Sequence, residues 1–490
     1  MRRLLILLGL PLVLVVVVAA SVKDDYFEMS KQLEIMQSAF RELNLFYVDE
    51  LAPGELMETG IKAMLAQLDP YTRYFPETKM EDVRFMQTGE YGGVGASIET
   101  RNGQTIVVDL LEGEPAEQAG LQLGDVVMRV NGRDLAGLDQ NQIGDLLQGA
   151  TGTDVTVDIQ RPGTREMLTF ELQRQKVKVP DVPYQGMLSE TTGYLALNSF
   201  TKTASFEVRK ALTNLTDSLG AEQVVIDLRG NGGGLLREAI AMVNLFVGKG
   251  QEVVSTKGKT PDWNKSYKTR ANALRPDLPI AILVDGKSAS ASEIVAGTLQ
   301  DLDRGVVVGS ESFGKGLVQQ TKKLAYGTRM KVTVAKYYTP SGRCVQRLDY
   351  SHRDDEGEVH AMADSTLSTF YTANGREVLE GRGVLPDVEV PQPDLSYVLE
   401  GLLENGVLFD FAVQHRDALV APDDAIANAP HKPRPRAEKE WRAAAERRRK
   451  EAAAQEAPER AQESAVEETK EVIQAQETTK VVKDEVTREE

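Results

Sequence analysis

The chain has 490 residues, 41% apolar and 27% charged, which is about three domains at roughly 100 to 200 residues each and excludes collagen-like, wholly disordered and multi-span membrane classes. Its 57 basic side chains against 74 acidic ones leave a net charge of −17, which repels phosphate backbones and argues against nucleic acid as a partner. One cysteine, Cys344, and four histidines exclude an intrachain disulfide framework and leave little from which to build a zinc site or a Ser-His-Asp triad, so neither metal nor cofactor is implied.

In chain order, residues 1–22 come first: Met1, Arg2 and Arg3 precede an uncharged run from Leu4 to Ala20 that ends in small residues. This is an export segment, which reads equally as a cleaved signal peptide or an uncleaved membrane anchor. No cysteine follows it, so a lipid-modified N-terminus is excluded. Residues 24–85 read as helical, with Met29, Leu33, Met36, Phe40 and Leu43 on one face and a second helix near 55–67 stopped by Asp69-Pro70. Over 86–175 the period becomes two, as in Gln104–Val108 and Val155–Ile159, with a short helix near Asn141–Gln148. A small barrel or sandwich is expected there. Over 176–400 the strand-like runs Val224–Asp227, Ile280–Val284 and Val306–Val308 alternate with helical stretches such as Leu235–Phe246, which predicts α/β layers. A short extension, 401–435, leads into a helical or disordered tail of mixed charge over 436–490. In that tail Glu446 and Glu451 flank the cluster Arg447–Lys450, so a spacer or partner-docking helix is expected rather than a basic patch.

The chemistry concentrates in the α/β region. Ile282-Leu283-Val284 passes through a turn into Ser288-Ala289-Ser290-Ala291-Ser292-Glu293 and a run of small residues. A serine there stands at a helix N-terminus, where backbone N–H groups and the positive dipole end suit an acyl oxyanion. Simple helix capping by Ser288, Ser290 or Ser292 is the competing explanation. Downstream lies Phe313-Gly314-Lys315-Gly316-Leu317-Val318-Gln319, which if extended projects Lys315 and Gln319 from one face. A lysine between glycines can enter a backbone-lined pocket, lose hydration and, as a neutral amine, take a serine proton. A surface cation after a turn would read the same way. A third segment, Asp227-Leu228-Arg229-Gly230-Asn231-Gly232-Gly233-Gly234, is a strand emptying into a glycine turn whose amides could cradle a carbonyl oxygen becoming negative. Its spacing fits neither a dinucleotide fingerprint nor a phosphate loop.

With these segments, the chain resembles the carboxy-terminal processing proteases, serine peptidases with a Ser/Lys dyad, over roughly residues 30–395. The resemblance implies Ser290 as nucleophile, Lys315 as general base 25 residues later, Gln319 as orienter of the lysine, and Gly234 with Ala291 as the oxyanion hole, Asp227 and Arg229 serving as scaffolding. Leu68-Asp69-Pro70-Tyr71, Tyr337–Arg343 and Gly383–Val388 also match, and Cys344 departs from the small polar residue usual there. Residues 86–175 then resemble a PDZ domain, with Gly92, Gly93, Val94 and Gly95 as the peptide-binding turn and Ala96–Ile98 as the pairing edge, although a glycine turn alone would read as a hairpin. The implied fold is a multidomain α/β protease core, a crotonase-like layered sheet with helices, carrying an inserted mainly-β PDZ domain between a helical N-terminal region and a charged C-terminal tail. The implied activity is an endopeptidase that captures protein or peptide C-termini and cuts near them, in the periplasm or on the inner membrane facing it. An adaptor or lipoprotein partner, N-terminal membrane association and oligomerisation stay open. Two rivals differ in class. An inactive PDZ adaptor is disfavoured because Ser290, Lys315 and Gln319 are all retained, and a crotonase-like acyl-CoA enzyme by the export segment and the PDZ insertion.

Overall fold

The strands Thr192–Ala196, Gln223–Asp227, Ile280–Val284 and Val306–Gly309 lie side by side in parallel register. Their near-continuous apolar sequence follows from this arrangement, because a parallel strand is covered on both faces. Tyr184–Met187 adds antiparallel at one edge and Val388–Glu389 parallel at the other. The computed structural model describes residues 26–415 except 165, 355, 363–366 and 392–394. The predicted export segment and charged tail lie outside the described residues.

Helices Ala204–Thr213, Leu236–Val243 and Ala291–Asp301 pack with this sheet into one core that includes Leu195, Val208, Leu212, Ile226, Met242, Ile282 and Leu299. Full burial of each such aliphatic side chain contributes about 1.5–3 kcal/mol, so this core fixes the strand ends from which the serine and glycine turns emerge. The helix expected over Leu235–Phe246 is regular only from Leu236 to Val243 and closes in turns.

A second sheet holds Arg73–Phe75, Arg329–Tyr338, Glu252–Gly258 and Lys265–Lys268, with Leu317–Lys323 paired to Arg329–Tyr338. The N-terminal region, expected to be helical throughout, thus supplies a strand. Its helices run over 26–46 and Pro53–Ala66, followed by the turn at Asp69. Asp69 Oδ1 accepts the N–H groups of Tyr71 and Thr72 at 2.9 and 2.8 Å, and Thr333 N–H donates to Thr72 Oγ1 at 3.2 Å. Arg73 then pairs with Lys331.

The region expected to be a PDZ domain is a six-stranded sheet beginning at the edge strand Ala96–Arg101 and continuing through Gln104–Leu110, Val126–Val130, Asp154–Gln160 and Met167–Gln173, with Arg133–Asp134 alongside. Alternation is visible in Asp154–Gln160, where Val155, Val157 and Ile159 are buried against Ile143 of the helix Gln140–Leu147. Asp139 caps that helix by accepting Gln142 N–H at 2.9 Å. The entering strand Glu90–Gly93 pairs antiparallel with the leaving strand Gln175–Lys178.

Candidate active site

Three serines share one turn, and burial separates them. Ser288 and Ser292 are fully buried, and each donates its hydroxyl to a carbonyl of the glycine turn: Ser288 to Leu228 at 2.8 Å, Ser292 to Asn231 at 2.9 Å. Ser290 instead lines a cavity of about 460 Å³ together with Gly232, Gly233, Gly234, Ala291, Lys315 and Gln319. Its backbone has φ 57° and ψ −109°, a conformation that costs a non-glycine residue about 1–3 kcal/mol and persists only where the surroundings enforce it. The enforcing contacts are the helix Ala291–Asp301 on one side and the glycine turn on the other.

Gly233, at φ +96°, sits so close that a Cβ would stand 2.9 Å from Ser290 Cβ and 2.8 Å from Ala291 N. Its own N–H is committed to Asn231 Oδ1 at 2.8 Å, and Phe200 N–H donates to its carbonyl at 3.1 Å. The N–H groups of Gly234 and Ala291, by contrast, donate to no acceptor among the described residues, and both residues line the cavity. Asp227 holds the preceding strand end by accepting Arg229 N–H at 2.9 Å and Tyr194 O–H at 2.8 Å.

Lys315 Nζ lies 4.0 Å from the centroid of the Tyr71 ring. Burial, reinforced by the Lys331 cation, lowers its pKa from the ordinary 10.5 to about 8. Regular alternation does not place Gln319 beside it. The strand begins only at Leu317 and carries a bulge between Val318 and Gln319, which breaks period two, yet both residues line the cavity. Gln319 Nε2 donates to Thr333 Oγ1 at 3.3 Å.

The serine and lysine segments are tied together by a residue to which sequence reasoning assigned no role. Glu293 is fully buried and accepts four hydrogen bonds: Ser290 N–H at 2.7 Å, Lys315 N–H at 2.9 Å, Gly314 N–H at 2.7 Å and Ser312 O–H at 2.6 Å. Burial pushes its pKa up, and the donors oppose that rise. The signal was present in Ser290-x-x-Glu293, the spacing of a capping box. Tyr71 was likewise visible only as part of a matching motif, not as the ring beneath Lys315. Glu293→Gln would turn an amide donor toward groups that already donate, so a loss of about 1–3 kcal/mol in urea unfolding is expected, together with reduced activity in the folded fraction. Unchanged stability and turnover would remove Glu293 from its positioning role.

In the PDZ part, Gly92 and Gly93 belong to the strand paired with Gln175–Lys178. Gly92 packs so closely on Gly149 that a Cβ would lie 2.0 Å from its carbonyl oxygen. Val94 and Gly95 form the turn itself, and their N–H groups donate to no acceptor among the described residues. The edge strand follows at Ala96.

The family model for peptidase family S41 matches residues 191–351, and the PDZ domain model matches 106–161. A carboxy-terminal-processing protease from Bartonella bacilliformis is 35% identical over 321 residues, 65% of this chain and 73% of that protein. The chain belongs to the carboxy-terminal processing proteases of family S41. A probable CtpA-like serine protease from Staphylococcus aureus is 33% identical over 327 residues, covering 66% of this chain and 64% of that protein. Among solved structures, a photosystem II D1 C-terminal processing protease is 28% identical and covers 75% of this chain and 95% of its own, with a TM-score of 0.40. As a carboxy-terminal processing protease, the chain is a serine peptidase that carries a PDZ domain. Among the described residues no helix is long and apolar enough to cross a membrane, and no cluster of His, Cys, Asp and Glu could hold a metal ion.

Proposed function

We propose that Ser290 and Lys315 form the catalytic dyad, with Gln319 orienting the lysine and the N–H groups of Gly234 and Ala291 holding the oxyanion. The observation that carries this reading is the separation of the serines: two hydroxyls are spent on carbonyls, and the third faces the cavity that holds Lys315, which burial brings down to about 8. Neutral Lys315 takes the Ser290 proton as Oγ attacks the scissile carbonyl. The resulting oxyanion meets two unpaired amides at a helix N-terminus and a glycine turn. Collapse expels the amine, to which the lysine ammonium returns the proton. Water activated by the same amine then hydrolyses the ester and frees the serine.

The segment Gly92–Gly95, whose turn is Val94 and Gly95, supplies the second half of the function. Its unpaired amides at Val94 and Gly95 suit a terminal carboxylate, and the edge strand from Ala96 suits the residues before it, so the PDZ domain delivers C-terminal segments to the dyad. The export segment supports action in the periplasm, on protein or peptide substrates with accessible C-termini, with membrane tethering if that segment is retained. An adaptor or lipoprotein partner would act by bringing such substrates, and oligomerisation is compatible with this arrangement.

Unfolded casein and a matched pair of peptides test the function together. The enzyme should degrade casein in the presence of chelators and cleave a peptide with a free C-terminus about tenfold more efficiently than its C-terminal amide, the worth of one charge-assisted contact. Equal rates for acid and amide would deprive the PDZ turn of its assigned role, and chelator sensitivity would contradict a metal-free dyad.

A further inference from the structure

The cavity carries a second cation, Lys331, to which the proposed mechanism gives no direct contact with substrate. Lys331 stands on the strand Arg329–Tyr338, two residues from Thr333, which accepts from Gln319, and six from Tyr337, whose hydroxyl donates to the Ser290 carbonyl at 3.2 Å. Lys331, Gln319, Thr321 and Tyr337 line the same cavity as Ser290. Lys331 is half-buried, and among the described residues its ammonium makes neither an ion pair nor a side-chain hydrogen bond. Its strand neighbours are Arg73 on one side and Thr321 on the other. Arg73 is committed only to the Pro70 carbonyl, at 3.0 Å.

The nearby acids are otherwise engaged. Asp69 and Glu293 act on Lys315 while accepting from Tyr71, Thr72 and the four donors of the serine and lysine segments, Asp181 lines the same cavity but accepts the hydroxyls of Thr201 and Thr203, and none of the three forms an ion pair with Lys331. Lys331 and Lys315 thus share one partly dehydrated cavity, Arg73 lies exposed beside Lys331 on the neighbouring strand, and among the described residues no acid pairs with Lys331. Burial and the Arg73 cation accordingly push the Lys331 pKa down. An unpaired, partly dehydrated ammonium is costly, and that cost is recovered when a carboxylate arrives.

We propose that Lys331, backed by Arg73, is a carboxylate-binding subsite of the catalytic cavity. It selects substrates that place a negative group on the segment lying along the strand Arg329–Tyr338. The carboxylate comes either from an Asp or Glu side chain near the scissile bond or from the chain terminus of a short substrate. The inference rests on Ser290 and Lys315 being the reacting pair, and its test separates the two ideas.

Two peptide series distinguish the sources. One exchanges Glu for Gln at successive positions around the scissile bond with a constant C-terminus, and the other exchanges free acid for amide in peptides too short to bridge to the PDZ turn. Both are cleaved by the wild type, Lys331→Met and Lys331→Arg, with charge preference taken near neutral pH as the ratio of charged to neutral peptide for one enzyme, so that Lys315 ionisation cancels, and with neutral-peptide rates compared between enzymes at each one's alkaline plateau. At one or more positions the wild type should favour the charged peptide about tenfold in kcat/KM. Lys331→Arg should keep that preference, and Lys331→Met should lose it while cleaving the neutral peptide within about twofold of wild type. Loss in the Glu series assigns the site to an acidic side chain, and loss in the acid series assigns it to a terminus. A wild type indifferent to charge, a preference that survives in Lys331→Met, or an equal fall on charged and neutral peptides overturns the subsite. In the last case the neutral peptide still reports separately on the dyad through Ser290→Ala.

Discussion

Ser290→Ala is expected to lower cleavage of an unfolded protein by about 10⁴-fold or more, the scale seen when a nucleophile is removed from a concerted catalytic unit. The fold should survive, because the segment is held by contacts the mutation leaves alone: the Ser290 N–H to Glu293, the Ser290 carbonyl to Tyr337 and Ile294, and the packing of Gly233 against Cβ. Capture of a labelled C-terminal peptide should likewise be unchanged, since the PDZ turn lies on another sheet. Ser288→Ala and Ser292→Ala provide the contrast. Each removes a buried donor from a carbonyl, at about 1–3 kcal/mol, so these variants should melt earlier yet cleave near the wild-type rate while folded. Turnover by Ser290→Ala above a few per cent of wild type, in a preparation with normal circular dichroism, would transfer the nucleophile to another residue. A melting temperature that collapsed with the activity would instead mean that the hydroxyl is structural.

What the sequence shows of this enzyme follows the range of the forces involved. Ile280–Val284 is legible because a strand buried on both faces must be apolar throughout, and Asp154–Gln160 because one covered face imposes alternation. The strand Arg73–Phe75 is not legible. It is three residues long, and its pairing with Arg329–Lys331 is settled by the Asp69 turn and by Thr72's contact with the distant Thr333 rather than by strand preference. The bulge at Val318/Gln319 is equally hidden, since it depends on how the partner strand runs. Local chemistry narrows the site to three serines, Lys315 with Gln319 and a glycine turn, and the resemblance to the carboxy-terminal processing proteases singles out Ser290, Gly234 and Ala291 among them. Glu293 was overlooked for the opposite reason. A glutamate near a helix start reads as a solvated charge, and only the tertiary fold turns it inward toward four donors. Lys331 is hidden in the same way, as one lysine among several on a strand until its place in the cavity, without an ion-pair partner among the described residues, sets it apart.

Lys315→Arg should be as damaging as Lys315→Ala, because a guanidinium remains protonated at any working pH and cannot accept the serine proton. The loss should be about 10³-fold or more, within the range found when the base of such a unit is removed. In the wild type the lysine must be neutral to act, so activity is expected to be low below pH 8, to rise through about 8 and to level off above it. The same shift also has a signature in stability. Between about 8 and 10.5 the folded state binds fewer protons than the unfolded chain, so stability rises with pH across that window, and below 8 the cost of the buried ammonium is fully present. Lys315→Met removes that cost. It should therefore be inactive yet melt higher than wild type at pH 7, with the difference shrinking as pH climbs through the window. A methionine variant that melted lower at pH 7 would show that the ammonium is held by favourable contacts, chiefly the Tyr71 ring 4.0 Å away, rather than strained by burial. A wild-type activity profile flat across pH 8 would remove the lysine from the base role altogether. Together the two measurements separate a lysine kept for catalysis at the expense of the fold from one that the fold itself requires.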